Sequence, residues 1–296
     1  MHDFLKQIEI LEQRNRIAIT SRYPVLLPFI LESKRIIRSV FYKLHPKFKM
    51  KKSKDEKWFQ IVEHSSPLYR KYNKKELDDG KVENIKIAIK SLDGIIIPPG
   101  KTFSFWKHVG RSSSKRGFKK GLVLSAGQLK EDIGGGLCQL SNLIAYMFAC
   151  SDSVFVERKH HSRDVFPDYN RVIPFASGAT IFFNLIDLKV KNVYPFPVKL
   201  NLRTTDTQLR GSLLVPVPLD YFVKLEEKES YFIKSSKTGN LYRCNKLNRV
   251  FYKKITKEKI KEESLWLNVA QVMYDEENIK KEIILTDSHT SSQSLK

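Results

Sequence analysis

Residues 134–162 read GGGLCQLSNLIAYMFACSDSVFVERKHHS. Three glycines give way to apolar residues recurring at helical spacing, Leu137, Leu140, Ile144, Met147 and Phe148, so a buried helix begins at or just after Gly136. The β-branched and aromatic run SVFVE then predicts a strand, with the polar group KHHS at its far end. Cys138 therefore sits at a helix start, where unpaired N–H groups and the helix dipole favour a thiolate, with an expected pKa below the free value of about 8.5. Gly134, Gly135 and Gly136 let the backbone approach a ligand closely, and their N–H groups suit an oxyanion. One helix and a tight return bring His161 back towards Cys138, the order used by thiol acyl-transfer enzymes. A helical cysteine also serves as a small buried hydrophobe, so packing stays open for Cys138. Gln139 either donates to an oxyanion or bonds neighbouring backbone. Glu157 and Arg158 read as an internal ion pair.

Upstream, residues 3–22 alternate apolar and charged groups, with Phe4, Ile8, Leu11 and Ile19 on one helical face. Residues 30–44 repeat the pattern with Ile30, Ile37, Phe41 and Leu44, beyond a turn bounded by Pro24 and Pro28. Residues 49–57 form a solvated loop or linker, Asn84–Leu92 a helix or buried segment, and SLDGIIIPPGKTFSF short strands punctuated by Gly94, Pro98, Pro99 and Gly100. Downstream, ATIFFNLIDLKVKN, FPVKLNLRT and LRGSLLVPV read as an antiparallel meander. Residues 220–275 continue as short alternating strands around a turn at Lys237–Asn240. The fold class is α+β: N-terminal helices, a central helix bearing Cys138, and a mostly antiparallel sheet.

The 296 residues carry 53 Lys and Arg against 32 Asp and Glu, a net charge of +21 that calls for an anionic partner or a lysine-rich solvated surface. No metal-finger spacing, aromatic RNA-binding strand or helix-turn-helix stands out, which disfavours nucleic acid. Acidic phospholipid, or phosphate-bearing precursors displayed on it, fits the charge. Three cysteines, Cys138, Cys150 and Cys244, make neither a disulfide framework nor a zinc site, so no metal or cofactor is expected. The N-terminus lacks the basic start and apolar run of a signal peptide, so the expected location is cytoplasmic, with peripheral attachment at the inner membrane face.

IIIPPGKTFSFW (95–106), GFKKGLVLSAGQL (117–129), GGGLCQLSNLI (134–144), VERKHHS (156–162) and DLKVKN (187–192) stand in the order and spacing of the VanW family, which the chain resembles from about Tyr23 to Tyr274. The resemblance divides the chain into an N-terminal helical region (1–80), a VanW-like core (81–215), a β-rich extension (216–285) and a disordered tail (286–296). It implies a link to vancomycin resistance and peptidoglycan metabolism. Some family members are L,D-transpeptidases acting on stem peptides, which implies Cys138 as nucleophile and His161 as base. Gly134, Gly135, Gly136, Gln139, Ser162 and Trp106 would then contact substrate. This chain has Lys159 where relatives often have a further histidine, and Gly178 where they often have aspartate. Asp187 would replace that aspartate through antiparallel pairing of its strand with the histidine strand. The competing expectation is a non-catalytic accessory protein that binds an anionic wall precursor.

Overall fold

The computed structural model describes residues 1–13, 25–43, 57–69, 75–125, 128–165, 167, 172–279 and 281–286. Ile19, Leu44, most of the 49–57 loop and the tail from 287 lie outside the described residues.

Two helices open the chain, α1 (His2–Gln13) and α2 (Leu26–Lys43). In α1, Phe4 and Ile8 are buried, and they pack with Ile233, Tyr242 and Val269. Helix α2 begins earlier than its periodicity suggests, because Pro28 falls in the first turn, where its missing N–H costs nothing. Its expected inner face is also wrong: Ile37 is 58% exposed, whereas Arg38 and Tyr42 reach the rest of the protein.

A four-stranded sheet runs in the order β1 (Phe59–Pro67), β10 (Gln208–Val215), β9 (Val198–Thr204), β2 (Ile95–Ile97). Every pairing in it is antiparallel. Helices α3 (Lys75–Leu92) and α5 (Leu137–Ala149) share the main core with it, and the short helix α4 (Phe105–Val109) adds buried Phe105 and Trp106. At Gly211 on β10 the approach is close: a Cβ there would lie 2.5 Å from Leu143 Cδ2 of α5.

The strand predicted before the histidines is β6 (Ser153–Glu157), and it ends at Glu157. It pairs with β8 (Lys189–Asn192), which also pairs with β3 (Thr102–Ser104). The long run read as a strand after Gly178 shrinks to β8. Ser141 Oγ donates to Ala179 O (2.6 Å) and Ala179 N donates to Asn142 Oδ1 (2.9 Å), so α5 takes backbone groups that a ladder would need.

Strands β4 (Lys120–Ser125) and β5 (Gln128–Ile133) form a hairpin leading into the glycine run. The last sheet is built on β11 (Tyr221–Lys234), β12 (Leu241–Lys253) and β13 (Lys259–Val272), with β14 (Ile283–Leu285) and β7 (Arg163–Asp164) at its parallel edges. The three main strands run 14, 13 and 14 residues where short ones were expected. Register shifts near Glu227/Glu229 and Leu247/Asn248 break the alternation into short pieces while pairing continues.

Candidate functional site

The glycine run is a turn held by contacts far away in sequence. Gly134 and Gly136 take φ values of 82° and 89°, open to glycine at little cost. Gly135 faces Gly121 on β4 so closely that a Cβ on Gly135 would lie 2.1 Å from the Gly121 carbonyl carbon. Asn84 of α3, fully buried, clamps the turn: its Nδ2 donates to Gly135 O (2.9 Å) and Lys119 O (3.0 Å), and its Oδ1 accepts from Lys119 N (2.7 Å). The expected oxyanion cradle is not formed by these glycines. Gly134 N donates to Lys119 O, Gly135 N to Asp132 O and Gly136 N to Leu122 O, so all three N–H groups are spent on backbone. At the helix start, Gln139 N donates back to Gly136 O (2.9 Å). The N–H groups of Leu137 and Cys138 have no acceptor inside the helix, as at any helix N-terminus.

Cys138 occupies the first turn of α5, with Sγ 3.9 Å from Ile181 O. Burial pushes its thiol up, more than the Ile181 contact draws it down. Burial thus works against the expected preformed thiolate. His161 lines the same cavity as Cys138. Its pKa is lowered, first by burial and then by the nearby Arg158 charge. His160 is lowered to about 4 by burial, and its Nε2 lies 3.0 Å from Val269 O.

Asp187 is not the partner of His161. It is fully buried and accepts from Ser104 Oγ (2.5 Å), Tyr42 OH (2.6 Å), Leu188 N (2.9 Å) and Trp106 N (3.0 Å), which pins α2 and α4 to the core. Register explains the error: Glu157 pairs with Lys189, so Asp187 meets the end of β6 and donates its N–H to Glu157 Oε1, while the chain carrying His161 has left the sheet. Nor could Gly178 be restored to aspartate, since a Cβ there would lie 2.2 Å from Asn142 Oδ1.

Glu157 and Arg158 pair elsewhere than with each other. Glu157 binds Arg38 and Lys189, while Arg158 donates to Gly178 O, Ala176 O and Asn268 and lies over the Trp266 ring. Gln139 Nε2 donates to Ser66 Oγ (2.9 Å) and Pro67 O (2.7 Å), which leaves that amide nothing to offer an oxyanion. Ser162 is exposed and outside the cavity wall; its carbonyl accepts from Gln271 N. Trp106 does form wall, its Nε1 donating to Ile186 O (2.9 Å) and its ring standing edge-on to Phe183. Cys150 and Cys244 are buried free thiols.

The cavity holds about 530 Å³ and collects Cys138, Gly134, Gly136, Gln139, both histidines and Trp106. Arg35, Lys81, Arg111 and Arg163 stand in its wall beside Asp78, Asp132 and Asp164. Two of these acids are already neutralised, Asp78 by Lys81 at 2.7 Å and Asp164 by Arg243 at 3.2 Å. Arg35 and Arg111 share the single carboxylate of Glu32, at 3.1 and 3.7 Å, and Arg35 Nε is buried without a hydrogen-bond partner. With Arg163 beside them the balance is cationic and suits a carboxylate or phosphate. Among the described residues no group of three or more His, Cys, Asp or Glu is placed to hold a metal ion.

The sequence reading missed Arg35, Asn84, Ser141 and Asn142. Asn84 carried a signal, a small amide set between Val82 and Ile85 in a helical stretch.

The family model described as VanW like protein matches residues 80–214. The vancomycin B-type resistance protein VanW of Enterococcus faecalis is 30% identical over 196 residues, 66% of this chain and 70% of that protein. The uncharacterized protein YoaR of Bacillus subtilis is 28% identical over 132 residues, 45% of this chain and 41% of its own length. No solved structure matches.

Proposed function

From the premise that this chain belongs to the VanW-like family, we propose that it acts in glycopeptide resistance by binding an anionic cell-wall peptide precursor in the cavity beside Cys138. The observation that carries this reading is the gathering of Arg35, Arg111 and Arg163 in the wall of the cavity that Cys138 and the histidines line. A stem peptide presents carboxylates for such guanidinium groups. Recognition is favoured over catalysis by three features: the raised thiol of Cys138, the spent glycine N–H groups, and the commitment of Asp187 to Tyr42, Ser104 and the Trp106 and Leu188 N–H groups.

A second reading is thiol acyl transfer to or from a stem peptide, and it is favoured by one observation: Cys138 and His161 line one cavity. A raised thiol and a lowered imidazole both hold the pair neutral, so His161 would have to take the thiol proton during attack instead of beforehand. The N–H groups of Leu137 and Cys138 would be the remaining oxyanion donors.

Calorimetry with muropeptides, joined to mass spectrometry of the mixture, separates the two readings. Binding is expected to survive Cys138→Ala and to weaken at least about tenfold in Arg35→Ala, the loss of a charge-assisted hydrogen bond, with the muropeptides recovered unchanged. New products from the wild type that vanish in Cys138→Ala would overturn binding alone and establish acyl transfer. No binding by the wild type would end both readings.

A further inference from the structure

Helix α2 meets the protein with its polar side. Arg38 pairs with Glu157, Tyr42 OH donates to Asp187 (2.6 Å), and Asn184 Nδ2 donates to Arg35 O (2.9 Å) and Ser39 Oγ (2.6 Å). The side turned to solvent is apolar: Val25, Phe29, Ile36, Ile37 and Val40 are 77, 72, 59, 58 and 54% exposed. At about 100° per residue the four on the helix, Phe29, Ile36, Ile37 and Val40, fall within an arc of about 100°. Ser33 lies inside that arc and bends its hydroxyl back onto Ile30 O (2.9 Å). Cations edge the stripe: Lys34 is exposed on one border, and on the other Arg111 stands 3.7 Å from Glu32, with Arg116 donating to the Arg111 carbonyl (2.7 Å).

A helix that hides its polar residues and shows its apolar ones is built to bury that face against something outside the chain. We propose that α2 lies in the interface of an acidic lipid bilayer, with Phe29, Ile36 and Val40 inserted among the acyl chains and the flanking cations on the headgroups. Charge selects this occupant. A second copy would bring another +21 against the same surface, whereas anionic headgroups complement it. Among the described residues no helix is long and apolar enough to cross a membrane, so α2 lies flat instead of spanning. Arg111 stands both at this border and in the cavity wall, so docking sets the cavity beside the headgroups. The proposal stands on the exposed helix face and does not rest on what fills the cavity.

The test is flotation of the full chain with vesicles of phosphatidylglycerol and phosphatidylcholine, against phosphatidylcholine alone. The wild type is expected on acidic vesicles only, released progressively by salt as headgroup attraction is screened over about 10 Å at 0.1 M. Combining Phe29→Asp with Ile36→Asp should cut binding about 100-fold, roughly tenfold for each apolar side chain withheld from the bilayer, at an unchanged thermal midpoint. Phe29→Trp keeps the face apolar, and its added emission should shift to the blue on acidic vesicles. That variant decides the matter alone if the double variant does not fold. Equal binding to neutral vesicles, binding without the emission shift, or a dimer in light scattering that the double variant dissociates would each overturn the proposal.

Discussion

Asp187 separates a structural carboxylate from a catalytic one. In Asp187→Ala, four donors lose their acceptor in a site with no exposure. The Tyr42 and Ser104 hydroxyls rotate towards other acceptors. The Trp106 and Leu188 N–H groups are fixed by the backbone, and at about 1–3 kcal/mol per stranded buried donor they cost about 2–6 kcal/mol. Asp187→Asn should cost less than about 1 kcal/mol: its Oδ1 still accepts from both N–H groups, and its Nδ2 donates to hydroxyls that turn to accept. The two variants also differ from the wild type in pH dependence. Burial raises the Asp187 carboxyl above its unfolded value of 3.8, so the folded state holds the proton longer than the unfolded one. Stability contributed by that proton is present at low pH and falls as pH climbs from 3.8 through the folded pKa. The Asn variant should lack this fall. Urea unfolding between pH 3 and 8, beside the alkylation rate of Cys138, measures both properties. If Asp187→Asn left stability and its pH profile untouched but slowed Cys138 alkylation severalfold, the structural role would be refuted and the histidine-partner role restored.

Gly136→Ala should be costly because its Cβ meets Lys81 Cγ at 2.0 Å in a left-handed conformation, whereas Gly94→Ala, with φ of 74° and nothing within 4 Å, should cost only about 1 kcal/mol; thermal unfolding of the pair isolates the steric part. Asn84→Ala should destabilise by about 2–4 kcal/mol, since it strands the buried Gly135 carbonyl and the part-buried Lys119 N–H. Hydrogen exchange at Gly134–Gly136 should quicken in the same variant. His160, held at about 4, stays neutral in the folded state while the unfolded imidazole binds its proton at 6.5, so stability should fall as pH drops from 6.5 towards 4. His160→Gln should flatten that acid limb, and an unchanged limb would locate the titrating group elsewhere.

Local order was legible in the residues. Periodicity from Leu137 to Phe148 announced α5, the run GIIIPPGKTF announced β2 and β3, and the glycines announced a tight turn. Each is set within one or two turns of chain by side-chain period or by φ, so no distant partner is needed. The presence of Cys138 and His161 in one place was legible too, through the short path between them and the family wording.

What the tertiary structure alone decided is where polar groups find partners. Whether glycine N–H groups are free depends on Lys119, Asp132 and Leu122 carbonyls brought from the neighbouring hairpin. Whether Asp187 meets His161 depends on the β6–β8 register, and a shift of two residues along a strand moves a side chain by about 7 Å. The thiol of Cys138 looked activated because a helix start is a local feature, whereas desolvation is set by every element packed around it. The apolar positions of α2 were legible as a stripe, but not as an outward one, because a helical period states which residues share a face and only the contacts of Arg38, Ser39 and Tyr42 state which way that face points.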